Sequence, residues 1–134
     1  MRIINNKYFI DSTDITPEIV FDFDTGVMQI KGVSIPENPT EFFDPVLKVL
    51  KSKIISSKTD KMVFEIRLAY IGTASSKYLL EMLKLMQKQK DKSVEVHWYR
   101  VNEDESMEEL GEIFQEFLNF DFKFIEVSEK KLFS

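Results

Sequence analysis

The chain has 134 residues, a length typical of one domain, and 43% of them are hydrophobic while 31% are charged. Its net charge of −5 argues against binding to a nucleic-acid backbone, because proteins of that class usually carry a basic excess. The absence of cysteine excludes disulfides, thiolate zinc sites and cysteine nucleophiles, and the single histidine, His97, excludes any site that needs two imidazoles.

The first half of the chain predicts a β-hairpin followed by a helix. A strand is expected around residues 3–10. Residues 19–30 alternate apolar and polar side chains around a turn at residues 24–26, which is typical of a hairpin. Apolar residues then recur every three or four positions over residues 42–54, which predicts an amphipathic helix with Thr40 as its N-cap.

Helices and strands alternate in the second half. Period-two alternation marks the strands, and apolar stripes at spacings of three and four mark the helices; the stripe of the last helix runs from Met107 to Leu118. The predicted elements are a strand at 62–71, a turn at 72–76, a helix through 79–86, a strand at 93–101, a helix at 102–119 and a strand at 120–127.

This order, a hairpin followed by α-β-α-β-α-β, predicts an α/β domain with mostly parallel pairing of the later strands. The later strands keep polar side chains on their second face, among them Glu65, Arg67 and Glu95. Parallel strands covered on both faces are continuously apolar instead. We therefore expect a two-layer domain, a mixed sheet with helices mainly on one face. No linker rich in Gly, Pro or Ser interrupts residues 1–134, which predicts a single domain.

Several classes of site find no support in the residues. The N-terminus lacks the apolar stretch of a signal peptide and no segment reaches membrane-spanning length, which predicts a cytoplasmic protein without membrane insertion. The glycines are isolated, so no phosphate-binding loop motif occurs. His97 lies on a strand between Glu95 and Tyr99, a pattern typical of a surface residue. We expect no catalytic residue, no cofactor and no metal.

The most distinctive segment is YIGTASSK at residues 70–77, which places hydroxyl groups between a strand and a helix. Residue type alone favours simple capping of the helix by Thr73 or Ser75. The same geometry would also suit a phosphoryl group on Thr73, because free backbone N–H groups and the positive end of the helix would receive it. Lys77, one turn later, would add a cation.

Motifs along nearly the whole chain resemble those of the SiaC-type regulatory phosphoproteins. They are FDFDTG at 21–26, GVSIPENP at 32–39, FFDP at 42–45, GTASSK at 72–77, VHWY at 96–99 and DESMEELGEIF at 104–114. The resemblance implies a STAS-like fold, the fold of anti-sigma-factor antagonists, and a partner-switching role in signalling.

In that family a dedicated Ser/Thr kinase phosphorylates the threonine of the strand-to-helix segment, and a PP2C-like phosphatase removes the phosphate. The unphosphorylated form of the best-known members binds and activates a diguanylate cyclase, which promotes cyclic-di-GMP synthesis and biofilm formation. The resemblance therefore implies Thr73 as the phosphorylation site, with Ser75, Ser76 and Lys77 shaping the phosphate environment. The neighbouring loop would belong to a partner-docking surface through Ser34, Pro36, Glu37 and Asn38.

Two other interpretations stay open. The chain could be an interaction or oligomerisation module without a phosphoswitch, using the open sheet face at Arg67, Glu95, His97 and Tyr99. It could also be a carboxylate-metal hydrolase built on Asp104 and Glu108, one turn apart on a helix, although no second histidine or cysteine supports a metal. The residues also leave open whether Thr73 or Ser75 accepts the phosphate.

Overall fold

The computed structural model describes residues 2–55 and 57–134. Within them, seven strands form one sheet and three helices connect the later strands. The elements are β1 (Arg2–Ile4), β2 (Lys7–Ile10), β3 (Glu18–Asp22), β4 (Val27–Ser34), α1 (Pro39–Lys53), β5 (Lys61–Ile71), α2 (Thr73–Gln87), β6 (Ser93–Val101), α3 (Glu105–Phe117) and β7 (Asp121–Val127), with a short 3₁₀ helix at Glu129–Lys131.

The strands lie side by side in chain order. Strands β1 to β4 pair antiparallel, and β4 to β7 pair parallel. Each parallel crossover moves one position in the same direction, and right-handed crossovers of that kind place all their helices on one face of the sheet. The predicted two-layer α/β architecture is therefore confirmed. The same topology brings the N-termini of all three helices to the carboxyl edge of the parallel strands.

The core lies between the sheet and the helices. Trp98 of β6, Phe64 of β5 and Phe43 of α1 are fully buried, and each such side chain stabilises the fold by about 1.5–3 kcal/mol relative to an exposed one. In the described part of the chain, no helix is both long and apolar enough to cross a membrane.

The second face of the sheet is polar and is partly covered by the C-terminal residues. Leu132 is buried there. Arg67 Nη1 donates hydrogen bonds to the carbonyl oxygens of Leu132 (3.3 Å) and Ser134 (3.2 Å). The guanidinium of Arg67 lies 3.8 Å from the centroid of the Tyr99 ring. Arg67, which the sequence suggests for an oligomer interface, is thus held by the chain's own C-terminal segment and by the ring of Tyr99.

Two predictions for the N-terminal half are wrong. Residues 3–10 form two strands rather than one, because Asn5 adopts a φ of 57° and turns the chain between β1 and β2; asparagine tolerates that conformation better than most residues. The N-cap of α1 is Asn38 rather than Thr40. Asn38 Oδ1 accepts a hydrogen bond from the N–H of Glu41 at 3.1 Å, so the helix begins two residues earlier.

Two helix starts in the second half also differ from prediction. The expected turn at residues 72–76 is the first turn of α2, because Gly72 is extended (φ −78°, ψ 166°) and is itself the N-cap. Helix α3 starts at Glu105, three residues later than expected. The reason is the side chain of Asp104, which accepts a hydrogen bond from the N–H of Met107 at 3.1 Å and fixes the N-cap there.

A candidate phosphorylation site at the start of α2

Thr73 is the first residue of α2, two positions after the end of β5. Its side chain is exposed, and its hydroxyl has no hydrogen-bond partner among the described residues. The N-cap, Gly72, has no side chain with which to cap the helix, so the first N–H groups of α2 are not satisfied by a side chain. The Thr73 oxygen therefore meets solvent beside free donors and the positive end of the helix dipole.

Ser76 and Lys77 differ in what they can offer a phosphate. The Ser76 hydroxyl donates a hydrogen bond of 2.7 Å to the carbonyl of Thr73, so it already reinforces the first turn. Lys77 is exposed and lies one turn after Thr73 on the same side of the helix. No ion pair engages Lys77 in the described residues, which leaves its ammonium group available to a neighbouring anion.

Ser34 and Ser75 require a correction. Their side chains are buried, at 0% and 1% exposure, and their hydroxyl oxygens lie 2.9 Å apart. Ser75 therefore faces the sheet beneath the helix, so its side chain does not border the phosphate position as expected. Ser34 likewise presents no side chain to a docking partner. Of the two candidate acceptors, only Thr73 has an exposed hydroxyl, and neither of them caps the helix.

The rest of the loop after β4 does lie beside the start of α2. The N–H of Gly72 donates to the carbonyl of Ser34 at 2.9 Å, which ties the two segments together. Glu37 is exposed, Pro36 is half-buried, and the exposed Asn38 is occupied as the N-cap of α1. Ile35, in the same loop, is 42% exposed and adds an apolar side chain to this surface.

Cavities open on both sides of Thr73. One of about 230 Å³ lies between α2 and α3, where Thr73 and Ser76 face Asp104, Ser106 and Leu110. The other, of about 620 Å³, lies between α1 and α2 and is lined by Thr73 and Lys77, together with Asp44, Leu47, Ala74, Tyr78 and Glu81. Thr73 borders both, so a phosphoryl group there would alter two neighbouring surfaces at once.

Comparison with known proteins decides the family. The chain matches the SiaC family of regulatory phosphoproteins over residues 10–127. It belongs to that family. An uncharacterised protein of Pseudomonas aeruginosa is 30% identical to it over 115 residues, which cover 84% of this chain and 90% of that protein.

Solved SiaC structures share the fold of this SiaC family member. SiaC of Pseudomonas aeruginosa superposes with a TM-score of 0.80 at 27% identity, covering 90% of this chain and 98% of that one. A structure of the diguanylate cyclase SiaD in complex with its activator SiaC, from the same organism, gives a TM-score of 0.81 at 28% identity, covering 90% and 99%. The predicted family resemblance and fold are confirmed.

The carboxylates considered for a metal site have structural contacts in this SiaC family member. Asp104 caps α3, as described above, and Glu108 Oε2 lies 3.5 Å from Arg100 Nη2. Among the described residues, no group of three or more His, Asp or Glu side chains is arranged to hold a metal ion.

A separate ionic cluster occupies the sheet face opposite the helices. Glu95 is 2.6 Å from Lys123 Nζ, 2.9 Å from His97 Nε2 and 3.4 Å from Lys61 Nζ. The hydrogen bond from Lys123 and then that from His97 lower the pKa of Glu95 from 4.5 to about 2. The same carboxylate raises the pKa of Lys123. The contacts of His97 here are therefore with a charge cluster on the sheet.

Proposed function

We propose that this chain is a non-catalytic signalling adaptor that is switched by reversible phosphorylation of Thr73. In its unphosphorylated form it binds and regulates a downstream effector, a diguanylate cyclase. The observation that carries the proposal is the exposed Thr73 hydroxyl, which has no hydrogen-bond partner among the described residues and lies at a helix start without a side-chain cap. The chain is also a member of a regulatory phosphoprotein family. The complex of SiaC with SiaD supports a diguanylate cyclase as the effector class.

Phosphorylation is a transfer in which Thr73 Oγ1 attacks the γ-phosphorus of ATP. The new bond joins Oγ1 to phosphorus, the bond from phosphorus to the β,γ-bridging oxygen breaks, and ADP leaves. The hydroxyl proton passes to a base of the dedicated Ser/Thr kinase. A PP2C-like phosphatase reverses the modification, because water displaces the threonine oxygen from phosphorus and releases inorganic phosphate.

The modified residue gains nearly two negative charges. These charges fall at the N-terminus of α2, where the helix dipole and the first N–H groups favour an anion. Lys77 adds a cation one turn away, and Ser76 keeps the turn closed through its bond to the Thr73 carbonyl. The helix thus tolerates the phosphate, and the partner reads a change of surface charge and shape rather than a change of fold.

Intact-mass spectrometry of the full chain, incubated with its kinase and ATP, tests the site. We expect the mass of one phosphate to be added to the wild type, to Thr73→Ser and to Ser75→Ala, and to be lost in Thr73→Ala. Phosphate that persists in Thr73→Ala, or that maps to another residue, would overturn the assignment.

Cyclic-di-GMP synthesis tests the effector. Each diguanylate cyclase of the source cell is assayed with the unmodified chain and with the phosphorylated chain. We expect one cyclase to respond to the unmodified chain alone. If neither form changes the rate of cyclic-di-GMP synthesis by any of the cyclases, the effector is not a diguanylate cyclase. The phosphorylation result would still stand.

A further inference from the structure

We infer that one end of the domain binds the surface of an anionic lipid bilayer. The contact is peripheral, and it lies at the opposite end of the domain from Thr73, so it adds a second binding surface to the one in the proposed function. We define this surface, the basic edge, by six exposed residues in the last turns of α1 and α2 and the loops that follow them: Lys48, Lys51, Ile55, Lys58, Lys88 and Lys90.

Positive charge is concentrated in two segments of the chain. Residues 48–61 and 84–92 together contain nine lysines and two carboxylates, a net charge of +7, although the chain as a whole carries −5. Each segment comprises the C-terminal turns of a helix and the loop that leads to the next strand. Helices α1 and α2 run in the same direction on one face of the sheet. Both segments therefore lie at the amino edge of the parallel strands.

Side-chain and backbone hydrogen bonds hold the two loops together. Lys92 Nζ, in the second loop, donates hydrogen bonds to the carbonyl oxygens of Ser57 (3.0 Å) and Thr59 (2.8 Å) in the first. The N–H of Ser93 donates to the carbonyl of Asp60 at 2.8 Å. The lysines of both loops thus belong to one continuous surface.

The lysines of the basic edge face solvent together with an apolar side chain. Among the described residues, no ion pair engages Lys51, Lys58, Lys88 or Lys90. The helix dipole favours cations at the ends of α1 and α2, but it does not account for Lys58 and Lys90 in the loops. Ile55 is 75% exposed, more than any other large hydrophobic side chain in the described part of the chain. Lysines around an exposed apolar residue are typical of surfaces that bind lipid, where cations contact headgroups and the apolar group enters the acyl boundary.

The residue types favour a lipid surface over a nucleic acid. Neither segment contains an arginine or an aromatic residue, which nucleic-acid-binding proteins use for bidentate contacts with phosphates and for stacking on bases. Lysine is a point charge on a flexible stem, which suits headgroups that move in the plane of a bilayer. A bilayer also offers an apolar layer beneath its charges, which an exposed isoleucine can enter.

The charge at the other end of the domain orients it on such a surface. Residues 37–44 and 101–109, around the starts of α1 and α3, contain eight carboxylates and no basic residue. Strand β5 has 11 residues, so about 35 Å separates the two edges of the sheet. An anionic bilayer attracts the basic edge and repels the acidic end. Thr73 would then face away from the lipid and remain accessible to other proteins.

Sedimentation with lipid vesicles tests the basic edge. The full, unmodified chain is mixed with vesicles of phosphatidylcholine alone, or of phosphatidylcholine and phosphatidylglycerol in equal parts, at low ionic strength. We expect binding to the vesicles with phosphatidylglycerol to be at least about 10-fold tighter. The difference should disappear at about 1 M salt, where the Debye length is about 3 Å. A chain of net charge −5 is otherwise repelled by an anionic surface, so this preference requires a local basic surface.

Variants locate the binding surface. Lys58→Gln and Lys88→Gln should each weaken binding to the anionic vesicles about five-fold. Lys130→Gln is the matched control, because it changes the net charge equally at an exposed position after β7, at the opposite edge; it should bind like the wild type. Ile55→Ser should also weaken binding about five-fold, whereas Ile113→Ser, at a site 49% exposed on α3, should not. Circular dichroism checks that each variant is folded.

Three results would overturn the basic edge: equal binding to both kinds of vesicle, no binding to either at low ionic strength, or equal weakening by Lys58→Gln and Lys130→Gln, which would point to net charge alone. A DNA duplex that binds more tightly than the anionic vesicles, through the same lysines, would make a nucleic acid the partner and would also overturn it. Because the test uses the unmodified chain, its outcome is independent of phosphorylation at Thr73.

Discussion

The hydroxyl of Ser34, at the end of β4, donates a hydrogen bond of 2.9 Å to the hydroxyl of Ser75 in the first turn of α2. The N–H of Gly72 adds a bond of 2.9 Å to the carbonyl of Ser34. These two bonds fix the turn that carries Thr73 without using the Thr73 side chain. A phosphoryl group on Thr73 therefore breaks no side-chain hydrogen bond among the described residues, which supports the proposal that this residue is modified reversibly.

The buried pair of hydroxyls predicts a non-additive effect on stability. Ser34→Ala and Ser75→Ala should each lower the free energy of unfolding by about 1–3 kcal/mol, because each leaves the other hydroxyl buried without a partner. The double variant should lose less than the sum of the two. Urea unfolding of the four proteins measures this coupling. Ser52→Ala, at an exposed helix position, is the control and should stay within about 0.5 kcal/mol of wild type. Strictly additive losses would contradict the hydrogen bond.

The proximity of Lys77 to Thr73 predicts a shift in the titration of phosphothreonine. The second pKa of a phosphate is ordinarily about 6, and a nearby cation lowers it by favouring the dianion. Lys77→Gln should raise the pKa of the phosphate on Thr73 by a few tenths of a unit, since an exposed pair one turn apart contributes about 0.3–0.5 kcal/mol. Phosphorus NMR of the phosphorylated chain measures it. Lys84→Gln, further along α2, should leave the pKa of the phosphate unchanged; an equal shift in both variants would point to net charge instead.

The ionic cluster on the open sheet face predicts a loss of stability in acid. The pKa of Glu95 is about 2, against an ordinary value of 4.5, chiefly because of Lys123 and then His97. A lowered pKa stabilises the fold fully above pH 4.5 and loses that contribution as the pH falls towards 2. Glu95→Gln should therefore show a smaller decrease in the free energy of unfolding over this interval than wild type. Glu112→Gln, at an exposed position of α3, should keep the wild-type decrease. Identical acid profiles for all three proteins would rule out the Glu95 contacts as the cause.

Much of the sheet could be predicted because successive side chains of a strand face opposite sides of the sheet, so burial appears in the sequence as a period of two. Alternation over residues 62–71 and 93–101 anticipated β5 and β6 almost to the residue. The polar second face, with Glu65 and Arg67, indicated two layers. The first residue of each helix is harder to predict, because several residues near it can act as the N-cap. Asn38 is the cap of α1 because its geometry favours it over Thr40, and that choice depends on how the preceding loop packs.

The same distinction between local patterns and contacts of distant residues applies to the candidate site. A hydroxyl between a strand and a helix is a local pattern, so Thr73 could be singled out from the sequence together with the family resemblance. The pairing of Ser75 with Ser34 could not, because the two residues are 41 positions apart. The third helix shows one broad apolar side in the sequence, and only the packing separates buried Phe114 from exposed Phe117.

That packing depends on a glycine in α3. A Cβ atom on Gly111 would lie 2.7 Å from Phe124 Cε1 and 2.7 Å from Trp98 Nε1, closer than real Cβ atoms approach either. Trp98 Nε1 also donates a hydrogen bond of 2.9 Å to the carbonyl of Met107. Because Gly111 has no side chain, α3 packs directly on the indole of Trp98 in β6.

Gly111→Ala should therefore lower the free energy of unfolding, although alanine in place of glycine usually stabilises a helix. That substitution ordinarily favours a helix by about 1 kcal/mol, but here α3 must lift from the sheet, and overpacking of this kind destabilises by about 1–3 kcal/mol. Urea unfolding should show the net loss. The emission of Trp98, the single tryptophan of the chain, should shift to the red as the indole loses its contacts. Glu112→Ala, on the solvent side of the same turn, should change neither property by comparison. A Gly111→Ala protein that is more stable than wild type would contradict this prediction. The rings of Trp98 and Phe124 would then move aside at little cost, and Gly111 would not determine the position of α3.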